Sequence, residues 1–112
     1  MTHGDIYMMD FGIPFGSEPG FRRPVIIAQA NKENPDKLNT TIVIPLTSNT
    51  KYAEVPGNVF ITKEESKLPK DSVALVHQMI VVDKERLIER LSKIDSNILS
   101  KLMKEENYVL KN

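Results

Sequence analysis

The chain has 112 residues, 40% hydrophobic and 27% charged, which is the size and make-up of one globular domain, 1–112, around a single modest core. Its 15 basic and 15 acidic side chains cancel to a net charge of zero, which argues against the broad electrostatic footprint of a basic nucleic-acid binder but leaves room for a local basic site. With no cysteine, disulfides and thiolate metal sites are excluded, and with neither a long apolar run nor a leader pattern the expected compartment is the cytoplasm and no membrane is involved.

Residues 6–11 (IYMMDF) predict a first strand, apolar on both faces and therefore buried. A polar, glycine-punctuated loop follows over 16–24 (GSEPGFRRP) and delivers Arg22 and Arg23 to a second strand at 23–29 (RPVIIAQ). Arg23 directly precedes Pro24, which biases it toward an extended backbone. A guanidinium fixed at a strand entrance can recognise phosphate through several planar donors. An ordinary surface loop with two solvated arginines is the competing reading.

Residues 31–39 predict a polar turn around Asn34-Pro35-Asp36, and 40–46 (TTIVIPL) a third strand, with Pro45 suggesting an edge or a bulge. Residues 54–62 read as a weaker fourth strand or hairpin interrupted at Pro56-Gly57, and 63–70 as a charged loop. The apolar stretch 72–82, with His77 and Gln78 in its middle, predicts one bent strand or two short ones. Residues 84–94 fit two descriptions, a helical face through Leu87, Ile88, Leu91 and Ile94, or a turn and a short strand. Asp95 is a good helix N-cap, and Ile98, Leu99, Leu102 and Met103, continued by Val109 and Leu110, form an apolar helical stripe. The fold class expected is α+β, dominated by a small, curled antiparallel sheet with a terminal helix.

The chemistry emerges by elimination. No HExxH, DxDxDG, GxxxxGK[ST] or GxSxG occurs, and His3 and His77 are far apart, so neither a metal site nor any other cofactor is expected. His77 reads first as a sheet histidine. What remains is Glu18, Arg22, Arg23, Thr47, Ser48 and Asn49. If the second and third strands pair antiparallel, the start of one lies beside the end of the other, which brings Arg23 close to Thr47. An arginine, two hydroxyls and a carboxylate on a strand rim can bind and polarise a phosphodiester. Thr47-Ser48 on its own is only common strand-end chemistry.

These residues resemble the MazF/PemK-like toxins, the ribonuclease halves of bacterial toxin–antitoxin modules. Gly4-Asp5-Ile6-Tyr7 and Asp10 are similar to that family's opening strand. Gly16-Ser17-Glu18 through Arg23-Pro24-Val25 resembles its signature loop, and Val43-Ile44-Pro45-Leu46-Thr47-Ser48 its third strand. Asp71-Ser72-Val73-Ala74-Leu75, Gln78, Asp83-Lys84 and Arg86-Leu87 follow the later pattern. Four motifs in order across about a hundred residues make the match specific. Pro19 and Phe21 depart from the loop pattern, and His77 and Ile80 from the later one.

The resemblance implies an SH3-like barrel of antiparallel strands with a C-terminal helix, a strand around 89–94, and a homodimer. It implies a toxin that cleaves single-stranded RNA at short motifs without metal and is held by a MazE-like antitoxin. Arg23, Thr47 and Glu18 match the catalytic positions. Ser17, Phe21, Arg22, Ser48 and Asn49 become candidate RNA contacts, with Lys51 and Gln78 further along the chain. The alternatives are a CcdB-like toxin that poisons DNA gyrase, which would not need the Arg23/Thr47 pair, and an inactive chain that only binds antitoxin.

Overall fold

The computed structural model describes residues 1–12, 22–28 and 39–111. Seven strands are described: β1 (Asp5–Asp10), β2 (Arg22–Ile27), β3 (Thr40–Thr47), β4 (Val59–Ile61), β5 (Ser72–Ala74), β6 (Ile80–Asp83) and β7 (Leu87–Lys93). A short helix α1 (Lys63–Ser66) follows β4, and α2 (Ser96–Lys111) ends the chain. All pairings are antiparallel, in the order β4-β5-β3-β2-β1-β7, with β6 also on β3.

β3 organises the sheet because it changes partners along its length. Its start pairs with β6, from Thr40↔Asp83 to Val43↔Ile80. Its middle pairs with β2, from Ile27↔Val43 to Val25↔Pro45. Its end pairs with β5, at Leu46↔Ala74 and Thr47↔Val73. The expected edge or bulge at Pro45 takes the form of this switch. Pro45 is buried between the β6-paired and β5-paired stretches, where the ladder is already interrupted and a missing N–H is tolerated.

Strand alternation sorts the apolar side chains to two sides of the sheet. Ile6, Ile26, Ile44 and Leu46 join Val59, Ile61, Ala74 and Val76 in the main core, which α2 closes with Ile98 and Leu102. Met9, Val25, Ile27, Val43 and Val82 form a second cluster on the opposite side. Ile98 and Leu102 are 1% and 0% exposed, and burial of that kind contributes about 1.5–3 kcal/mol per side chain. Asp95 caps α2 as expected, its Oδ1 accepting the Asn97 N–H at 2.8 Å and its carbonyl the Leu99 N–H at 3.0 Å. Met103 departs from the predicted stripe and is 45% exposed. Its neighbour on the helix, Glu106, is buried instead against His3, Nε2 to Oε1 3.1 Å.

Three segments differ from their sequence reading. The strand expected over 54–62 forms only over Val59–Ile61, because a 3-10 turn takes Thr50–Glu54 and a tight turn takes the next residues. In that turn the Val55 carbonyl accepts the Asn58 N–H at 3.1 Å, and Gly57 sits at φ +94. The charged loop contains α1, fixed by a reciprocal capping box: Thr62 Oγ1 accepts the Glu65 N–H at 3.2 Å, and Glu65 Oε1 accepts the Thr62 N–H at 2.9 Å. The apolar stretch divides into two strands around the 3-10 turn Val76–Gln78. In the ambiguous segment a 3-10 turn, Lys84–Arg86, leads into β7, which is a strand as the resemblance implied.

Candidate active site

The β2–β3 register determines where the two leading candidates meet. Pairing is formed up to Val25↔Pro45. Continued two residues further, the same register sets Arg23 opposite Thr47. Beyond Pro45, however, β3 turns to β5, so β2 and β3 part. A cavity of about 630 Å³ lies at this parting, lined by Arg22, Arg23 and Pro24 on one side and Leu46, Thr47 and Ser48 on the other. Residues that are 24 positions apart in sequence thus share one cavity.

The period of two distinguishes the two arginines. Arg23 falls on the face of Val25 and Ile27, and Thr47 on that of Val43, the side of the second cluster. Arg22 alternates to the other face. Arg22 is also opposite Asp10 in the β1 register, and it lines a neighbouring cleft with Asp10, Asp83, Glu85 and Arg86. Arg22 thus lines both hollows, and the lining of the larger one contains no carboxylate among the described residues.

Thr47 is partly buried, and its Oγ1 accepts the Asn49 N–H at 3.1 Å. A hydroxyl that accepts from the backbone retains its own proton to donate. Asn49 is occupied as a cap: its Oδ1 accepts the Lys51 N–H at 3.2 Å. Asn49 therefore orients the Thr47 hydroxyl rather than lining the cavity. Lys51 is exposed on the Thr50–Glu54 turn and Gln78 on the Val76–Gln78 turn, and neither is among the described lining residues. Ser17, Glu18 and Phe21 lie outside the described residues. His77 is placed at the Pro56-Gly57 turn, its Nε2 3.0 Å from the Pro56 carbonyl, and does not line the cavity.

The far wall was not anticipated. Lys67, Leu68, Pro69 and Lys70, which follow α1, line the cavity, and Met8 and Leu91 add apolar surface from β1 and β7. Four cations, Arg22, Arg23, Lys67 and Lys70, thus surround a partly apolar hollow. The sequence signal for that wall was Thr62-x-x-Glu65, a capping-box spacing that starts a helix and so sets where its end delivers Lys67.

Comparison with known proteins places this chain in a family. Residues 2–106 match the model of the PemK-like, MazF-like toxin of type II toxin-antitoxin system. The chain is 41% identical over 110 residues to Endoribonuclease MazF of Staphylococcus saprophyticus, covering 96% of this chain and 85% of that protein. It is 36% identical over 99 residues to Endoribonuclease MazF6 of Mycobacterium tuberculosis, covering 88% of this chain and 87% of that protein. In fold it is similar to the MazE-MazF crystal structure from Deinococcus radiodurans, with TM-score 0.78 and 20% identity over 99% of this chain and 96% of that one. A mycobacterial endoribonuclease in complex with its cognate antitoxin gives TM-score 0.77 at 17% identity, over 99% and 95% of the two chains.

Proposed function

This chain belongs to the PemK-like, MazF-like toxin family of type II toxin–antitoxin systems, and on that premise we propose that it is an endoribonuclease whose catalytic pair is Arg23 and Thr47. One observation carries the assignment of the pair: the β2–β3 register and the parting of the two strands bring both residues to one cation-rimmed cavity.

RNA supplies its own nucleophile. The 2′-hydroxyl loses its proton and attacks the adjacent phosphorus, the bond to the 5′-oxygen breaks, and the departing oxygen takes a proton from water, so the products are a 2′,3′-cyclic phosphate and a 5′-hydroxyl. The protein must stabilise the charge that builds on the non-bridging oxygens. The Arg23 guanidinium donates to them, and the Thr47 hydroxyl, oriented by the Asn49 N–H, donates a second bond that fixes the phosphate. Arginine is a poor base because a guanidinium keeps its proton at any ordinary pH. Glu18 is the loop carboxylate available to accept the 2′-hydroxyl proton, and Glu18→Gln tests that role. No step needs a metal ion, and no cluster of three or more metal-ligating side chains occurs among the described residues.

The expected substrate is single-stranded RNA in the cytoplasm, the expected inhibitor a cognate MazE-like antitoxin, and the expected assembly a homodimer. No described helix is long and apolar enough to cross a membrane. The Arg23/Thr47 site favours RNA cleavage over gyrase poisoning, which has no use for it. Incubation of the purified chain with a long mixed-sequence RNA in EDTA, with chemical mapping of the ends, tests the proposal. Cuts ending in cyclic phosphate and 5′-hydroxyl are expected. Activity that is lost on chelation and restored by a divalent ion would overturn the mechanism.

A further inference from the structure

Lys67 adopts a backbone conformation that its residue type disfavours. At φ 61 it is in the left-handed region, and no other non-glycine residue among those described has positive φ. Helices that end this way ordinarily place glycine there, because a Cβ in that region costs about 1 kcal/mol. The turn is held from several directions. The Lys67 N–H donates to the Lys63 carbonyl at 2.8 Å. The Leu68 N–H donates to Ser66 Oγ at 3.1 Å, and Ser92 Oγ donates to the buried Ser66 carbonyl at 2.6 Å. The capping box secures the start of the same helix.

The surroundings thus impose a strained conformation, which is where such strain is informative about function. Its result is to set Lys67 on the wall of the Arg23/Thr47 cavity, exposed and without a carboxylate partner among the described residues. Lys70 lies beside it in the same condition. The wall belongs to the segment between α1 and β5, not to β2 or β3. Cations from separate elements therefore face one hollow, whose apolar lining from Met8, Leu46, Leu68 and Leu91 suits an unstacked nucleoside.

We propose that Lys67 is a substrate-positioning residue that holds a phosphate of the RNA strand next to the one engaged by Arg23. This rests on the endoribonuclease reading. A lysine ammonium is a point charge with rotatable donors and needs only to reach an anion, not to match its plane. Two phosphates held by separate elements bracket one nucleotide, and bracketing keeps the scissile bond in line without Lys67 touching it.

Lys67→Gly isolates this role, because glycine removes the charge and relieves the strain together. The variant should melt at the same temperature as the parent or higher. Binding of a 2′-O-methyl RNA spanning a mapped cut site should weaken roughly tenfold at low salt, as for loss of one charge-assisted contact. The slope of log affinity against log salt should fall by about 0.7, one phosphate on a single strand. KM should rise more than kcat falls, and Lys67→Arg should restore most of both. An unchanged salt slope with unchanged cleavage would overturn the proposal. So would a lowered melting temperature with activity that Lys67→Arg fails to restore, since that marks a structural residue. A parent protein that cleaves no single-stranded RNA removes the endoribonuclease reading itself; a parent that cleaves alongside an indistinguishable Lys67→Gly removes only the role of Lys67.

Discussion

Gly57→Ala is expected to destabilise the fold by about 2–3 kcal/mol while leaving the chemistry intact. Two costs add. Gly57 is at φ +94, in a turn closed by the Asn58 N–H on the Val55 carbonyl. Pro56 followed by glycine suits a turn whose third position needs positive φ, and an L-residue there costs about 1–2 kcal/mol. A Cβ at this position would also enter the His77 ring, closest to Nε2. His77 is exposed and can swing aside, but in doing so it gives up its bond to the Pro56 carbonyl, worth about 0.5–1.5 kcal/mol. For a domain near a hundred residues each kcal/mol lowers Tm by about 4–8 °C, so a fall of roughly 10 °C or more is expected by circular dichroism. His77→Ala alone should lose only the smaller part. In that background Gly57→Ala should cost less than in the parent, because the ring is gone and only the backbone strain remains. All three variants should cleave RNA at near-parental rates well below their melting temperatures. A fall in Tm under about 2 °C for Gly57→Ala would refute the turn geometry. A large loss of cleavage with intact folding in His77→Ala would refute the structural role given to His77.

Acid stability should depend on Asp5. Burial alone would raise its carboxyl, but hydrogen bonds from Thr2 and the charge and hydrogen bond of Arg90 outweigh that and hold it below its ordinary value. A group depressed in the folded state contributes stability above its unfolded pKa and loses it as pH falls through the folded one. Asp5→Asn should therefore cost about 1–2 kcal/mol at pH 7 and progressively less in acid; an equal cost in urea titrations at pH 7 and pH 3 would contradict the assignment. Static light scattering should give a dimer mass at micromolar concentration, and a monomer would count against the proposed assembly. An acidic antitoxin segment should compete with a 2′-O-methyl RNA for the Arg23 cavity, and simultaneous binding without mutual penalty would rule out occlusion.

The parts of the structure legible in the sequence were those governed by local pattern. The β-branched run after Arg23 and the apolar run from Thr40 both form strands, and Asp95 caps the last helix, because each signal is contained within a few residues. That Arg23 and Thr47 would come to the same end of the β2–β3 pair was legible too, since antiparallel pairing sets the start of one strand beside the end of the next, and both line one cavity. What was missed depends on tertiary placement. Met103 lies on the apolar stripe but outside the contact with the sheet, while Glu106 is buried because His3, over a hundred residues earlier, reaches it. The Lys67 wall was read as a charged loop because charge dominated the composition there. Its capping-box spacing was present but followed by Ser66-Lys67-Leu68-Pro69-Lys70 rather than an apolar run. Ser17, Glu18 and Phe21, outside the described residues, keep only the support of the family resemblance.

The most direct test compares Arg23→Ala with Arg22→Ala in single-turnover cleavage of one RNA oligonucleotide in EDTA. Removing a donor that stabilises transition-state charge typically costs about 10²–10³ in rate. The account predicts a loss of that size for Arg23→Ala and at most a mild loss for Arg22→Ala, since Arg22 falls on the opposite face of β2 from Arg23. Equal, mild losses from both arginines would mean that the loop only binds RNA, and would contradict Arg23 as the catalytic residue.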